Sequence, residues 1–280
     1  MRVSGTRTVS DCTRFVQFGH WSGTLIFQGE RVECRSWTGV RDRSWGVRHQ
    51  GTAAEGDRPP GSIYAIWSVV HFDDCFLQVT VHEDEQGRGH VRSCVEVPRL
   101  APGDPLIADV SSLPRTDSLT CDIDYRPGTR RPRAARIAVG PRGGLDLELR
   151  YEPLSTFQMK GLGYYHPVHR QGAATSGERV HRESWRPAEL DPLRVENVHA
   201  QQLSIVRRSD GREGVGVFEH VAIGPHQPSG LPPGLKAPSP HRRGRRLRRP
   251  GRRRGSGRWR RPSATPRRPR WAGRPRSGRT

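Results

Sequence analysis

Asp42 stands between Arg41 and Arg43, with Trp45 three positions on and glycines at 39 and 46 closing the run. A solvated loop has no need of a tryptophan there. A buried strand does not accept three consecutive charges unless they pair, because an unpaired buried charge is costly. The residue types therefore predict a carboxylate held by guanidinium groups, with Trp45 packed beside it. Such a cluster is either a structural ion-pair corner or one wall of a binding cavity. A carboxylate held that way suits orienting a ligand or stabilising a cation better than delivering a proton. On this reading Asp42 is the candidate catalytic group, and Arg41, Arg43 and Trp45 are candidate ligand contacts.

Further along the chain, Tyr164 and Tyr165 follow two glycines, Gly161 and Gly163. That pattern suits a strand with close backbone approach and aromatic packing, either as core or as cavity lining. Glu219 sits in a strand-like run between Phe218 and His220. It could face a cavity and pair with an arginine of the Asp42 run, or face water. His166, His169 and, further on, His181 are metal-ligating types, but the spacing of three in His166-Pro-Val-His169 is weak without a helix, no acidic ligand lies close to that pair, and no metal site is expected. Ser22, Ser44 and Ser204 lie in no nucleophile-elbow context. There is no phosphate loop and no Gly-x-Gly-x-x-Gly at a strand-to-helix turn, so nucleotide chemistry is disfavoured and no cofactor is expected.

The elements that must position these groups read as strands. Leu145, Leu147, Leu149 and Tyr151 alternate with charged residues, a period-2 pattern with one wet face. Residues 134–139 precede them across Gly143-Gly144, a hairpin signal. Residues 200–206 and 215–223 flank Asp210-Gly211 in the same way. Residues 63–72 and 76–81 are apolar and β-branched. A turn at 83–87 leads into 90–97, and 98–114 is a loop. Only 180–190 suggests a short helix. Many short strands at close spacing predict an all-β fold of barrel or sandwich type.

Several stretches resemble the carotenoid hydratase-like group of bacterial proteins, also called hydroxyneurosporene synthase-like or AttH-like, in its actinobacterial branch. They are His20-Trp21-Ser22-Gly23-Thr24-Leu25, Arg41 to Gly46, Phe157 to Tyr164, His166-Pro167, Gly216 to His220, and Ile223-Gly224-Pro225-His226. The resemblance covers residues 15–231. It implies a pair of lipocalin-like antiparallel barrels, here 15–130 and 131–231, after a disordered stretch 1–14. It also implies hydration or cyclisation chemistry among relatives, and it matches Asp42 to a candidate acid. Relatives carry a substantial segment before the His-Trp-Ser-Gly strand, so a shortened N-terminus is expected. After His166-Pro167 this chain has Val168-His169-Arg170-Gln171-Gly172 where a Trp-Gly-His-Gly-like stretch is anticipated. The implied function is a scaffold for a hydrophobic small molecule such as a lipid, isoprenoid or polyketide, held inside a barrel.

The net charge of +20 looks like a nucleic-acid signature until it is located. Residues 237–280 hold 18 of the 48 basic residues, all arginine, and no acidic residue, which leaves 30 basic against 28 acidic in the body. Residues 232–280 are expected to be disordered, since so few apolar residues cannot offset the entropy of ordering. Two readings of the tail stand. As a polyanion-binding arm it would use Arg242, Arg243, Arg245, Arg246, Trp259 and Trp271 on phosphates and bases. Alternatively, eighteen arginines without one lysine is what a shifted frame of G+C-rich DNA encodes. Five widely spaced cysteines without a Cys-x-x-Cys argue against a disulfide framework or zinc site and favour a reducing, cytoplasmic setting. No apolar run reaches 18 residues. Oligomeric state is not readable from the sequence.

Overall fold

A computed structural model describes residues 2–4, 7–47, 62–141, 144–159, 165–166, 168–169, 176–178 and 180–235. It is all-β, as the period-2 patterns predict. Twelve strands form two sheets: β1 (Arg2–Ser4), β2 (Arg7–Phe27) and β3 (Glu30–Val47) in one, and nine strands in the other. The nine are β4 (Ile63–His71), β5 (Cys75–Glu83), β6 (Gly89–Pro98), β7 (Arg115–Thr116), β8 (Leu119–Tyr125), β9 (Pro132–Val139), β10 (Leu147–Gln158), β11 (Ala200–Arg208) and β12 (Glu213–Ile223). Among the described residues no helix is long and apolar enough to cross a membrane.

The larger sheet is a nearly closed antiparallel barrel in the order β7-β6-β5-β4-β12-β11-β10-β9-β8. Two meanders meet where β12 lies beside β4, with Phe218 opposite Ser68 and Ile223 opposite Ile63. Close approach there depends on glycine. A Cβ on Gly214 would lie 2.4 Å from the His71 carbonyl oxygen, and one on Gly216 would lie 2.6 Å from that of Val69. Strand alternation sends Ile66, Val70, Leu77, Val79, Leu149, Tyr151 and Phe218 into the barrel, where all are buried. Side chains fill this interior, so the expected ligand space inside a barrel is taken by core.

The two sheets divide the chain between Val47 and Ile63. Residue 130 lies in the turn joining β8 to β9, which pair with each other. Residues 7–14, expected as an unstructured leader, belong to β2 and pair with β3 from Asp11 onward. Where a short helix was anticipated, there is one 3₁₀ turn at Pro187–Glu189. A proline start and the absence of an apolar stripe deprive that segment of a face to bury.

Strands β2 and β3 form a long hairpin turning at Gln28-Gly29. Its base leans on the outer surface of the barrel. Phe18 stacks on Phe76 at 4.7 Å between ring centres and meets His71 edge-on at 5.5 Å.

Candidate functional site

The gap between the hairpin base and the barrel wall is a cavity of about 560 Å³. Its floor comes from the residues that alternation turns away from the core. These are Ile63, Ala65, Trp67 and Val69 of β4, Gln201 and Leu203 of β11, and Val217, Glu219 and Val221 of β12. Its roof is Thr38, Val40 and Asp42 of β3 with Arg14 of β2. The wall is mixed: its aliphatic side chains are matched in number by polar and charged ones, among them Arg14, Asp42, His71, His82, His199 and Glu219.

Asp42 is in this cavity. Its partner is Arg14, which donates from Nε to Oδ1 at 2.8 Å and from Nη2 to Oδ2 at 2.7 Å. The same guanidinium lies 5.7 Å from the Trp67 ring centre. Arg41 and Arg43 do not hold the carboxylate. Neighbours in a strand point to opposite faces, so both arginines and Trp45 project from the far side of the hairpin. There Arg41 covers the Phe15 ring at 5.4 Å, and Trp45 meets Phe15 edge-on at 6.1 Å. The expectation that Asp42, Arg41, Arg43 and Trp45 form one cluster is thus corrected by the strand period.

Glu219 also lines the cavity, outside the barrel core. His199 Nε2 lies 3.1 Å from its Oε1, and Gln201 Nε2 donates to its Oε2 at 2.8 Å. Its partners are these two, and no arginine of the Asp42 run. Burial alone would raise its pKa, but His199, Gln201 and the nearby Arg14 outweigh that and hold it below the usual carboxylate value. His82 is at the rim; burial first, then Arg14 and His90, pushes its pKa down. The site is therefore a mixed chamber with two carboxylates, one capped by a guanidinium and one by an imidazole and an amide, and with His71 and His82 also in its wall. Sequence reasoning missed Arg14, Trp67, His199 and Gln201. Arg14 is 28 positions from Asp42, and only the hairpin register joins them.

Tyr164 lies outside the described residues, while its neighbour Tyr165 lines the cavity. Arg242, Arg243, Arg245, Arg246, Trp259 and Trp271 also lie outside the described residues.

The histidines singled out from sequence do meet an acid. His166 Nε2 is 3.0 Å and His181 Nε2 3.3 Å from Glu183 Oε1, spacings that could suit a metal. The hydrogen bonds read otherwise. His166 Nδ1 accepts from the backbone N–H of Val168 at 3.1 Å and of His169 at 2.6 Å. Its proton is then on Nε2, donated to Glu183, and the ring has no lone pair left for a cation. The cluster is a hydrogen-bonded pin for the loop.

The motif residues His220 and His226 close one end of the barrel. Tyr125 Oη lies 2.9 Å from His220 Nε2, and His220 Nδ1 lies 2.9 Å from the Ala65 carbonyl oxygen. A carbonyl only accepts, so Nδ1 carries the proton and Nε2 accepts from the tyrosine. Burial drives the His220 pKa down to about 4, so the ring is neutral near pH 7. His226 stacks on Tyr64 at 3.6 Å and meets Glu83 at 2.9 Å, while Arg92 holds the other oxygen of Glu83 at 2.8 Å. This is a closed polar plug rather than a ligand chamber.

Among solved structures, two are similar to the chain at low identity. One is an AttH-like protein of Nitrosomonas europaea, at 15% identity and a TM-score of 0.43, with 75% of this chain and 52% of that chain covered. The other is kievitone hydratase from Nectria haematococca, at 11% identity and a TM-score of 0.40, covering 75% and 53%. The chain thus spans about half the length of each. No curated protein matches it. The family of unknown function DUF8625 matches residues 1–232, most of the chain and all of its described barrel strands, and the chain belongs to that family.

Proposed function

We propose that the chain binds a hydrophobic small molecule of lipid, isoprenoid or polyketide type in the cavity under the β2–β3 hairpin. The observation that carries this reading is the cavity itself: about 560 Å³, with an aliphatic floor around Trp67 and a set of polar groups that includes two carboxylates in fixed surroundings. That is the size of a small-molecule site, where apolar surface supplies affinity and polar groups fix orientation. Asp42 and Glu219 face a shared space, and Arg14 pairs with Asp42 while covering the Trp67 ring, which suits fixing the orientation of a polar group on an otherwise apolar ligand. Asp42 is the candidate reacting or orienting carboxylate, with Arg14 as its positioning partner. No cofactor is required for binding.

The test is calorimetric titration with a C15–C20 isoprenoid alcohol against wild type and Val217→Trp. Val217 is on the cavity floor, so the indole fills the chamber while the core is untouched. Binding should weaken at least about tenfold in the variant, the effect of losing the apolar contact of several methylenes. Equal binding by both proteins would place the ligand elsewhere and reject this site.

A further inference from the structure

The hairpin has a second face that nothing in the described structure covers. From Asp11 to Phe27, residues at odd positions of β2 point away from the barrel, and β3 supplies their cross-strand neighbours: Phe15 beside Trp45, Trp21 opposite Trp37, Leu25 opposite Val32. Trp21 is 54% exposed, Trp37 48%, Trp45 53%, Leu25 50% and Phe27 63%. The stripe stays on one face past the irregularity near Trp21, because the extra residue is on β3 (Arg35 and Ser36 against Ser22) and the β2 alternation continues. Its charges are unevenly placed: Arg41 and Arg43, with Asp11 beyond them, lie toward the barrel end, and Glu30 lies opposite Phe27 at the tip. A sheet with one apolar face has to bury it against another layer, and a two-stranded ribbon cannot supply that layer itself.

We propose that this face packs against the same face of a second copy of the chain, across a two-fold axis near Trp21. Two observations select that occupant. The first is charge: with the hairpins antiparallel, Glu30 of one copy comes alongside Arg43 of the other, and the pairing is made twice by symmetry. A lipid surface or a nucleic acid would leave Glu30 facing like charge. The second is area. Fourteen residue steps from Thr13 to Phe27 give a stripe about 48 Å long and about 10 Å wide, or about 500 Å² per copy and about 1,000 Å² in all, the threshold for a specific interface. This inference is independent of the cavity, which is on the opposite side of the hairpin.

The test is sedimentation equilibrium of the full chain at about 0.15 M salt, where exposed charge pairs still act, with Leu25→Glu/Phe27→Glu, Glu30→Arg, Arg43→Glu and the charge-swapped pair E30R/R43E. Wild type should be a dimer at about 10 µM, as apolar contacts of this size permit. The apolar double variant should raise the dissociation constant at least about a hundredfold, as loss of central anchors does. Each single charge reversal should weaken the dimer about tenfold, and the swapped pair should recover most of the loss, as complementary rim charges require. Circular dichroism checks that every variant keeps its strand signal. The proposal is overturned by a wild-type monomer at about 100 µM, above the weakest range expected of such an interface. A dimer indifferent to Leu25→Glu/Phe27→Glu, or a swap that does not recover, overturns it as well. So does a monomer that sediments with anionic vesicles or single-stranded DNA and loses that binding in the apolar variant.

Discussion

Acid should destabilise this protein through His220 in particular, by an amount the structure sets. Burial is the largest cause of the low pKa of His220; the hydrogen bond to Ala65 opposes it, and the charges of His226 and Arg130 add to it. The folded-state value of about 4 stands against 6.5 for the exposed side chain. Between these values the unfolded chain carries a proton that the folded chain refuses. Stability therefore falls as pH drops below 6.5, and the full contribution is gone below 4. A gap of 2.5 units corresponds to about 3 kcal/mol. The assay is urea unfolding from pH 7.5 to 4 on wild type and His220→Gln. Glutamine never titrates, and it can accept from Tyr125 while donating to the Ala65 carbonyl. His71, whose pKa burial and then Arg99 also lower to about 4, contributes to both proteins and cancels in the difference. The two stability curves should converge by about 3 kcal/mol on acidification. Parallel curves would mean that His220 is neither buried nor neutral, and the plug would have to be redrawn.

Asp42→Asn should be mild for the fold. Its pair with Arg14 is 37% and 44% exposed, so losing it should cost less than about 1 kcal/mol in chemical denaturation. Isoprenoid binding should fall in the same variant, and a loss of 3 kcal/mol or more would return Asp42 to a buried corner. Gly39→Ala should displace Trp21, because the new Cβ would lie 2.3 Å from the indole nitrogen. A shifted tryptophan emission with a destabilisation of about 1–3 kcal/mol is expected, and an unchanged spectrum would contradict the packing of Trp21 over the glycine.

The strands were legible because their information is local. Leu147, Leu149 and Tyr151 alternate with charge, and glycine marks the hairpins at Gly144 and Gly211, both at positive φ. Asp42 and Glu219 were legible as unusual charges in strand-like surroundings. What was not legible depended on pairing between distant strands. Reading Asp42 with its sequence neighbours put Arg41 and Arg43 beside it, whereas a strand makes adjacent residues the ones that cannot meet. Arg14 was the partner, set by a register of 28 residues, and His199 reaches Glu219 only once β11 lies beside β12. The filling of the barrel interior was not legible for a similar reason. Composition shows enough apolar residues for a barrel interior, but it does not say that Phe72, Phe218 and Tyr151 fill it.

The alternation that separates Asp42 from its arginines also restricts how this hairpin can change in length. Between the irregularity at Arg35 and Ser36 and the site at Asp42, every residue added or removed reverses which side chains look inward. One extra codon in that stretch would turn Asp42 to the outside and bring an arginine over Arg14, so that the mouth of the chamber changes sign from a neutral pair to two positive charges. Two extra codons would leave the polarity intact and only lengthen the ribbon. Variation there is expected in steps of two residues, or with a second one-residue irregularity that restores the count.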